Sequence, residues 1–242
     1  MIRVLTVKNK ADIAEIYLSG DIVDDADGAW LSNNWNDGDT TGYEFPQKLR
    51  MQLDAIGADT PIELHINSCG GSVFAGVAMA NFIANHKGKT TAIVDGIAAS
   101  IASQIFFSAD VCKIPSNCYL MLHRPFTEVS GNAEELRKAA EILDTLQAGL
   151  ETTYQRKALD SLTAAEIHEM VDAETWLTGE EAARKFQVKL LNPVKTLNAV
   201  GNIDKLKAMG ITVPPSLNFS NEVDPREAKI KIALALEKGL MI

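Results

Sequence analysis

The sequence has no surplus of basic residues and no long apolar run. Its 23 Lys and Arg stand against 32 Asp and Glu, which gives a formal net charge of −9 and an isoelectric point near 5.0. Because Lys and Arg form no cluster, neither nucleic acid nor an anionic membrane surface is an expected partner. No run reaches the about 18 apolar residues of a membrane-spanning helix, and the N-terminal MIRVLTVKNK lacks the apolar segment of a secretion signal. We therefore expect neither secretion nor membrane insertion.

Cysteine is also scarce, and its spacing excludes two kinds of site. Cys69, Cys112 and Cys118 show no C-x-x-C pairing of the kind that binds metals. Their odd number favours reduced thiols over a disulfide framework. We therefore expect a cytoplasmic protein, and the sequence predicts neither a metal ion nor a cofactor.

The chain divides into one main domain, residues 1–192, and an appended tail, residues 193–242. With 242 residues, 46% of them hydrophobic and 23% charged, it is large enough to bury a substantial core. After Pro193 the composition changes, and the stretch VPPSLNFSNEVDP is typical of a linker. Short helices are predicted at 203–209 and 227–240. The last of them has enough apolar surface to bind a partner or fold back, and fraying in solvent is the alternative.

Apolar periodicity predicts strands and helices in alternation. The predicted strands are 2–7, 15–18, 62–66, 90–94, 111–114, 118–122 and 188–191. The predicted helices are 44–56, 74–86, a small-residue helix with Ser100 near its start, 132–159, and two helices that begin with the capping boxes Thr163–Glu166 and Thr178–Glu181. Repeated βα units imply an α/β fold with a mostly parallel sheet and helices on its faces. The helix 132–159 is longer than one small core requires, which predicts a contact between subunits.

The segment 24–42, DDADGAWLSNNWNDGDTTG, is predicted as a loop because it is rich in Asp, Asn and Gly. Its carboxylates suggest a calcium site, but Trp35 and its neighbours break the alternate-oxygen spacing that an EF-hand needs. A solvated loop with two tryptophans packed at its base is the interpretation that we favour.

Gly70 and Gly71 lie between a predicted strand and a predicted helix. A phosphate cradle is not expected, since the Lys and Ser/Thr of a P-loop and the third glycine of a dinucleotide site are missing. Two interpretations remain open. The paired glycines either turn backbone N–H groups toward a carbonyl oxygen, as acyl transfer requires, or form a flexible turn.

Ser100 and His123 are the candidate nucleophile and base. Ser100 follows a β-branched run and begins a helix, where N–H groups without intrahelical partners favour a developing negative charge. His123 ends a strand, where parallel sheets present functional groups, and Pro125 stops the regular structure. The other histidines have structural interpretations: a packed strand residue (His65), a helix end (His86) and an exposed helix (His168).

Four segments, taken in order, resemble the motifs of the Clp-type serine proteases. They are INSCGGSV at 66–73, GIAAS at 96–100, MLHRP at 121–125 and LTGEEA at 177–182. The resemblance covers roughly residues 15–192. It implies a crotonase-like α/β fold with a long handle helix, here 132–159, which mediates contact between rings. It also implies ring-shaped homo-oligomers, hexameric or heptameric and possibly double-ringed, with active sites that face an interior chamber.

The resemblance also implies roles for single residues. Ser100 takes the place of the nucleophile and His123 that of the base. Gly70, Gly71 and the backbone N–H of Ile101 fall where the family builds its oxyanion hole.

The third triad member is open between two carboxylates. Glu174 aligns with the family's Asp, because ETWLTG replaces an Asp-led segment of equal length. Asp172 is the alternative, since residues i and i+2 of an extended segment point to the same side. We favour Glu174, because a Glu can also orient an imidazole, as in Ser-His-Glu hydrolases. Cys69, which stands where the family usually has proline, is predicted to be a packed thiol rather than a reactive one.

The resemblance predicts a serine endopeptidase that acts on a protein substrate. The segment 24–42, the tail and a start close to the first strand resemble the Clp-like proteases of phage and prophage head-assembly modules. Those enzymes process scaffold or capsid protein during prohead maturation, in the host cytoplasm or inside the prohead. The first alternative is an ATPase-coupled Clp peptidase subunit. An acyl-CoA hydratase or isomerase of the crotonase fold needs neither Ser100 nor His123, and a catalytically silent scaffold is the remaining alternative.

Overall fold

The computed structural model describes residues 9–10, 13–34, 38–194, 207 and 212–213. The strands within these ranges are β1 (Asn9–Lys10), β2 (Ile13–Ile22), β3 (Gly42–Glu44), β4 (Ile62–Gly71), β5 (Thr90–Ala99), β6 (Val111–Pro115), β7 (Tyr119–Leu122), β8 (Thr175–Thr178) and β9 (Val188–Leu191). The helices are α1 (Asp25–Asn34), α2 (Pro46–Ile56), α3 (Val73–Ala84), α4 (Ile101–Ser108), α5 (Ala133–Lys157), α6 (Ala164–Asp172) and α7 (Gly179–Lys185). Most predicted elements are thereby confirmed.

The sheet is mostly parallel, as predicted. Its strands run in the order β1-β2-β4-β5-β6-β9, and β3 also pairs with β2. Only the β1–β2 and β7–β8 pairs are antiparallel within the described residues. The sheet forks at β5, because Thr91–Ile93 pair with β6 whereas Ile97–Ala99 pair with β7. The carboxyl ends of β5 and β7, which lead to Ser100 and His123, therefore lie side by side.

Helices cover one face of the sheet and form the main core with it. Alternate residues of β2, such as Ile16 and Leu18, are buried, and they belong to the same cluster as Met79 of α3 and Ile105 of α4. This follows from the period of two residues along a strand. Through this core, α4 packs against the central strands of the sheet.

The central strands are longer than predicted. β2, β4 and β5 each span 10 residues. The pairing register shifts between Ser19 and Asp21 and between Ile66 and Ser68, as at a β-bulge. The strands therefore continue beyond the points at which glycine residues predicted their ends. The predicted strand 2–7 and the predicted helices 203–209 and 227–240 lie outside the described residues, apart from Lys207.

The prediction of a loop over 24–42 is wrong for much of the segment, which contains the helix α1. The helix begins there because the Asp24 carboxylate accepts a hydrogen bond from the Asp27 N–H at 3.0 Å, as an N-cap does. Gly28 then packs against the ring of Phe45, where an added Cβ would lie 2.5 Å from Cγ. Trp30 is partly buried beside Leu31 and Tyr43, whereas Trp35 lies outside the described residues.

Much of the long helix α5 lies outside the chain's own core. It begins with a capping box formed by Asn132 and Glu135, and only three of its 25 residues are buried, namely Gln147, Glu151 and Tyr154. Leu136 and Ile142 in its first half are 44% and 57% exposed. The chain's own core therefore covers only the second half of α5.

Candidate active site

Ser100 and His123 are in hydrogen-bonding contact. The distance between Ser100 Oγ and His123 Nε2 is 2.6 Å. The contact is set by the sheet, because Ala99 pairs with Met121 in the parallel β5–β7 register and the Ser100 N–H donates to the Met121 carbonyl at 2.9 Å. A neutral imidazole that accepts the serine proton at Nε2 carries its own proton on Nδ1. The pair therefore has the geometry of a nucleophile and its general base.

The backbone of Ser100 adopts a conformation that is uncommon for a residue with a side chain. Its φ is +55° and its ψ is −131°. Such a turn between a strand and a helix projects the hydroxyl away from the sheet, as in the nucleophile elbow of other hydrolases. It also places the Ile101 N–H in the first turn of α4, where it has no intrahelical acceptor. That N–H is a candidate donor to an oxyanion.

We expect replacement of Ser100 by glycine to stabilise the fold while it removes the hydroxyl. A positive φ in such regions costs a residue with a Cβ of the order of 1–3 kcal/mol. Glycine avoids this strain, but part of the gain is offset because glycine loses more conformational entropy on folding. The free energy of unfolding of Ser100→Gly should exceed that of Ser100→Ala by about 1 kcal/mol. Urea denaturation of the two variants measures the difference, and a less stable glycine variant would contradict the strain.

Both glycines of the 70–71 pair are required by the backbone. Gly70 has φ +92°, and a Cβ there would lie 2.8 Å from Ser100 Cβ and 3.2 Å from the Ile101 nitrogen. Gly71 has φ +154°, and a Cβ there would lie 1.9 Å from the carbonyl oxygen of Ile22. The pair thus allows β4 to approach the nucleophile turn closely, which favours an ordered corner over a flexible turn.

One predicted oxyanion donor has a different partner in the structure. The Gly70 N–H donates to Ser68 Oγ at 3.0 Å, and this hydroxyl donates in turn to the Gly20 carbonyl at 2.6 Å. The Gly70 N–H would have to leave Ser68 in order to bind an oxyanion. Of the three predicted donors, the Ile101 N–H is the strongest candidate, because its position in the first turn of α4 leaves it without an intrahelical acceptor.

Burial keeps the imidazole of His123 neutral. The side chain is 8% exposed, and its removal from water lowers the pKa of His123 from 6.5 to about 4. Burial is the cause because the imidazolium loses hydration without gaining a carboxylate partner. A neutral imidazole at neutral pH is the protonation state that a general base needs.

This depressed pKa predicts an acid-sensitive fold. Below pH 6.5 the unfolded chain binds a proton at His123, whereas the folded chain excludes it until about pH 4. The contribution of His123 to the free energy of unfolding is therefore fully present above pH 6.5 and falls by up to about 3 kcal/mol as the pH drops toward 4. We expect His123→Gln to lose less stability over this range than the wild type, as measured by urea denaturation at several pH values. If the free energy of unfolding changed with pH to the same extent in both proteins, the lowered pKa of His123 would be refuted.

The structure does not bring either predicted third member to His123. Among the described residues, no hydrogen bond joins His123 to a carboxylate. Glu174 is exposed and follows the end of α6 with φ +52°, a left-handed conformation usual for glycine at this position. The choice of Glu174 therefore stays a prediction, and its use as a triad member requires residues 173–175 to rearrange.

Asp172 belongs to a different cluster. The prediction that Asp172 and Glu174 lie in one extended segment is wrong, because α6 continues to Asp172 and the extended chain of β8 begins only at Thr175. Asp172 and Glu174 consequently do not point to the same side. The Asp172 carboxylate accepts hydrogen bonds from Arg124 Nε and Gln147 Nε2, both at 2.8 Å, and these bonds lower the pKa of Asp172 to about 2.

The remaining histidines have the structural roles that their positions predict. His65 stacks on Tyr17 at 4.8 Å between ring centroids and bonds Asp95 at 2.8 Å. The ring of His86 bonds the Thr60 carbonyl, and His168 is largely exposed beside Glu151.

Cys69 is packed rather than exposed, in agreement with the sequence. It is buried in a small cluster with Ile97, Ala99 and Met121, and partly buried Trp176 packs against them. All three cysteines are buried, and none of them forms a disulfide bond within the described residues. Within the described ranges, no group of three or more His, Cys, Asp and Glu side chains is arranged to hold a metal ion. None of the described helices is both long and apolar enough to cross a membrane.

Two hydroxyls near the site were not singled out by the sequence. Ser103 Oγ donates to the Ser100 carbonyl at 2.6 Å, and Tyr154 OH lies 2.8 Å from Ser103 Oγ. The first contact has a local signal, since a serine often bonds the carbonyl three residues earlier. The second joins residues 51 positions apart, and no local pattern predicts it.

The segment that carries these residues is similar to known proteins. The Clp protease family model matches residues 40–186, which include Gly70, Ser100, His123 and Glu174. The chain is 32% identical over 148 residues to an ATP-dependent Clp protease proteolytic subunit 1 of Chlamydia abortus, which covers 56% of this chain and 71% of the relative. It is also 32% identical over 151 residues to an ATP-dependent Clp protease proteolytic subunit 2 of Tropheryma whipplei, with 58% and 82% covered. The chain belongs to the Clp protease family.

Proposed function

We propose that the protein is a serine endopeptidase that hydrolyses peptide bonds through an acyl-enzyme. The observation that carries this proposal is the 2.6 Å contact between Ser100 Oγ and His123 Nε2 beside the Ile101 N–H. His123 accepts the serine proton as Oγ attacks the scissile carbonyl carbon, and the imidazolium then protonates the leaving amine. A water molecule, deprotonated by His123, attacks the acyl-enzyme and releases the second product.

The tetrahedral intermediate places its negative charge on the former carbonyl oxygen. The Ile101 N–H donates to this oxygen, and the Gly70–Gly71 corner supplies the second donor. Gly70 contributes its N–H only if the bond to Ser68 is exchanged, which makes Gly71 the alternative.

We also infer that the subunit assembles through α5. The first half of this helix leaves Leu136 and Ile142 exposed, and large apolar side chains exposed on a long helix are typical of an interface. The family resemblance supports ring-shaped homo-oligomers of six or seven subunits, with α5 between two rings. Analytical ultracentrifugation tests the assembly, and Leu136→Glu with Ile142→Glu should shift it toward smaller species.

The proposed substrate is a capsid or scaffold protein that is cleaved during prohead maturation. This setting is supported by the segment 24–42, which contains α1, and by the 50 residues that follow position 192. An ATPase-coupled peptidase subunit is the second candidate, and the names of both relatives favour it. The proposed location is the host cytoplasm or the interior of the prohead.

Co-expression distinguishes these two settings. The protein is produced together with a capsid or scaffold protein that is encoded beside it, and the intact masses of both chains are measured. Truncation with the wild type, but not with Ser100→Ala, supports prohead processing. An intact capsid protein, together with degradation of a model substrate that requires a Clp ATPase and ATP, would support the second candidate instead.

A further inference from the structure

Ser103 holds the carbonyl group of Ser100 with two hydrogen bonds. Its backbone N–H donates to this oxygen at 3.0 Å and its side-chain hydroxyl donates at 2.6 Å. The Ser103 side chain is fully buried. No water competes for the carbonyl from this side, so the two bonds fix its direction.

The direction of this carbonyl also determines that of the Ile101 N–H. The Ser100 C=O and the Ile101 N–H belong to the same peptide group, which is planar, and in a trans peptide the two bonds point in opposite directions. Within the described residues every peptide bond is trans. A rotation of this peptide plane that turns the carbonyl away from Ser103 would therefore turn the N–H away from the oxyanion.

Tyr154 of α5 completes the chain of hydrogen bonds. The single hydroxyl proton of Ser103 is donated to Ser100, so the 2.8 Å contact is a bond from Tyr154 OH to Ser103 Oγ. Tyr154 is fixed in place, because its ring packs edge-on against Phe107 of α4 with 5.8 Å between the centroids. Hydrogen bonds in series polarise one another, which strengthens the donor at the end of the chain.

We propose that Ser103 and Tyr154 are positioning residues that hold the Ser100–Ile101 peptide group so that the Ile101 N–H faces the developing oxyanion. They touch neither the substrate nor the reacting atoms, and this role rests on the acyl-enzyme chemistry proposed above. Because the oxyanion exists only in the transition state and the intermediate, their loss lowers kcat and leaves KM unchanged.

Two variants and a matched control test this role. Ser103→Ala should lower kcat about 10- to 100-fold, the range between a weakened and a lost oxyanion donor. Tyr154→Phe, which keeps the ring, should lower kcat about fivefold, the effect of one hydrogen bond. The control is Ser108→Ala, which removes the corresponding bond from Ser108 Oγ to the Ile105 carbonyl, 2.7 Å long, at the far end of α4.

Three measurements separate positioning from a general loss of structure. kcat and KM are measured on a fluorogenic peptide well below the melting temperature of each variant. The affinity for a peptide aldehyde, which forms a tetrahedral adduct with Ser100, should fall in parallel with kcat, whereas the affinity for the cleaved product peptide should stay constant. The apparent pKa of the acid limb of kcat/KM should not move, because His123 is unaffected. In the double variant, Tyr154→Phe should add no further loss to Ser103→Ala.

Each result decides the matter. An active wild type with equal kcat in Ser103→Ala and Ser108→Ala would overturn the inference and leave the proposed function intact. A wild type that neither cleaves peptides nor reacts with a fluorophosphonate would overturn the proposed function itself. If Ser103→Ala fails to fold, Tyr154→Phe decides alone, and an unchanged kcat in that variant refutes the relay.

Discussion

Replacement of Ser100 by alanine is expected to abolish peptide hydrolysis while the protein folds and assembles as before. The variant loses the hydroxyl that contacts His123, and removal of such a serine lowers turnover by at least about 10⁴-fold. Within the described part of the chain, the Ser100 hydroxyl bonds only His123, so the packing of the domain should not change. Hydrolysis of a fluorogenic peptide and labelling by a fluorophosphonate, located by mass spectrometry, measure the effect.

The matched control for this experiment lies at the far end of α4, the helix that begins directly after Ser100. Ser108→Ala removes a hydroxyl from α4 without touching His123 and should retain wild-type labelling. His123→Ala should lose activity to a similar extent as Ser100→Ala, because neither residue works without the other. Full labelling of Ser100→Ala would show that another residue reacts, and the assignment of the nucleophile would have to be abandoned.

Replacement of Glu174 by glutamine is expected to lower kcat about 10³- to 10⁴-fold, as loss of the triad carboxylate does in related chemistry. Gln is isosteric with Glu and leaves the left-handed backbone at this position unchanged. It removes only the charge that would hold Nδ1 of His123 and stabilise the imidazolium. Steady-state kinetics on the same peptide measure the loss.

The pH profile provides an independent readout of this carboxylate. Without a carboxylate the pKa of His123 is about 4, and a carboxylate beside Nδ1 would raise it because it stabilises the charged form. If residues 173–175 rearrange in the substrate complex so that Glu174 reaches His123, the acid limb of kcat should lie at higher pH in the wild type than in Glu174→Gln. Acid limbs at the same pH would exclude Glu174 from the triad.

Asp172→Asn is the matched comparison. The Asp172 carboxylate accepts hydrogen bonds from Arg124 and Gln147. If these contacts are purely structural, replacement of Asp172 should change kcat less than about threefold. A large loss in Asp172→Asn with near-normal activity in Glu174→Gln would reverse the assignment between the two carboxylates.

The pairing of Ser100 with His123 could be predicted from the sequence because both residues follow strands of one parallel sheet. Hydrophobic runs and turn residues indicate where β5 and β7 end, and parallel strands present their carboxyl ends on the same side. The order of the motifs then restricts the choice among four histidines. The contact of 2.6 Å follows from this topology.

Contacts between distant segments could not be predicted in this way. Tyr154 reaches Ser103 only because α5 packs against α4, and nothing near either residue indicates this. The position of Asp172 was missed because α6 extends through Asp172, which the sequence pattern assigned to an extended segment. α1 was missed because Asp, Asn and Gly favour loops by composition, whereas the Asp24 cap depends on one hydrogen bond.

The fork of the sheet at β5 has a consequence for how the enzyme fails on heating. Ser100 and His123 follow the adjacent strands β5 and β7, in which Ala99 and Met121 are register partners, so the distance between nucleophile and base is set by the spacing of adjacent strands. No hinge lies between the two strand ends, and loosening of the outer loops leaves the pair intact. Thermal inactivation should accordingly coincide with cooperative melting of the whole domain rather than precede it.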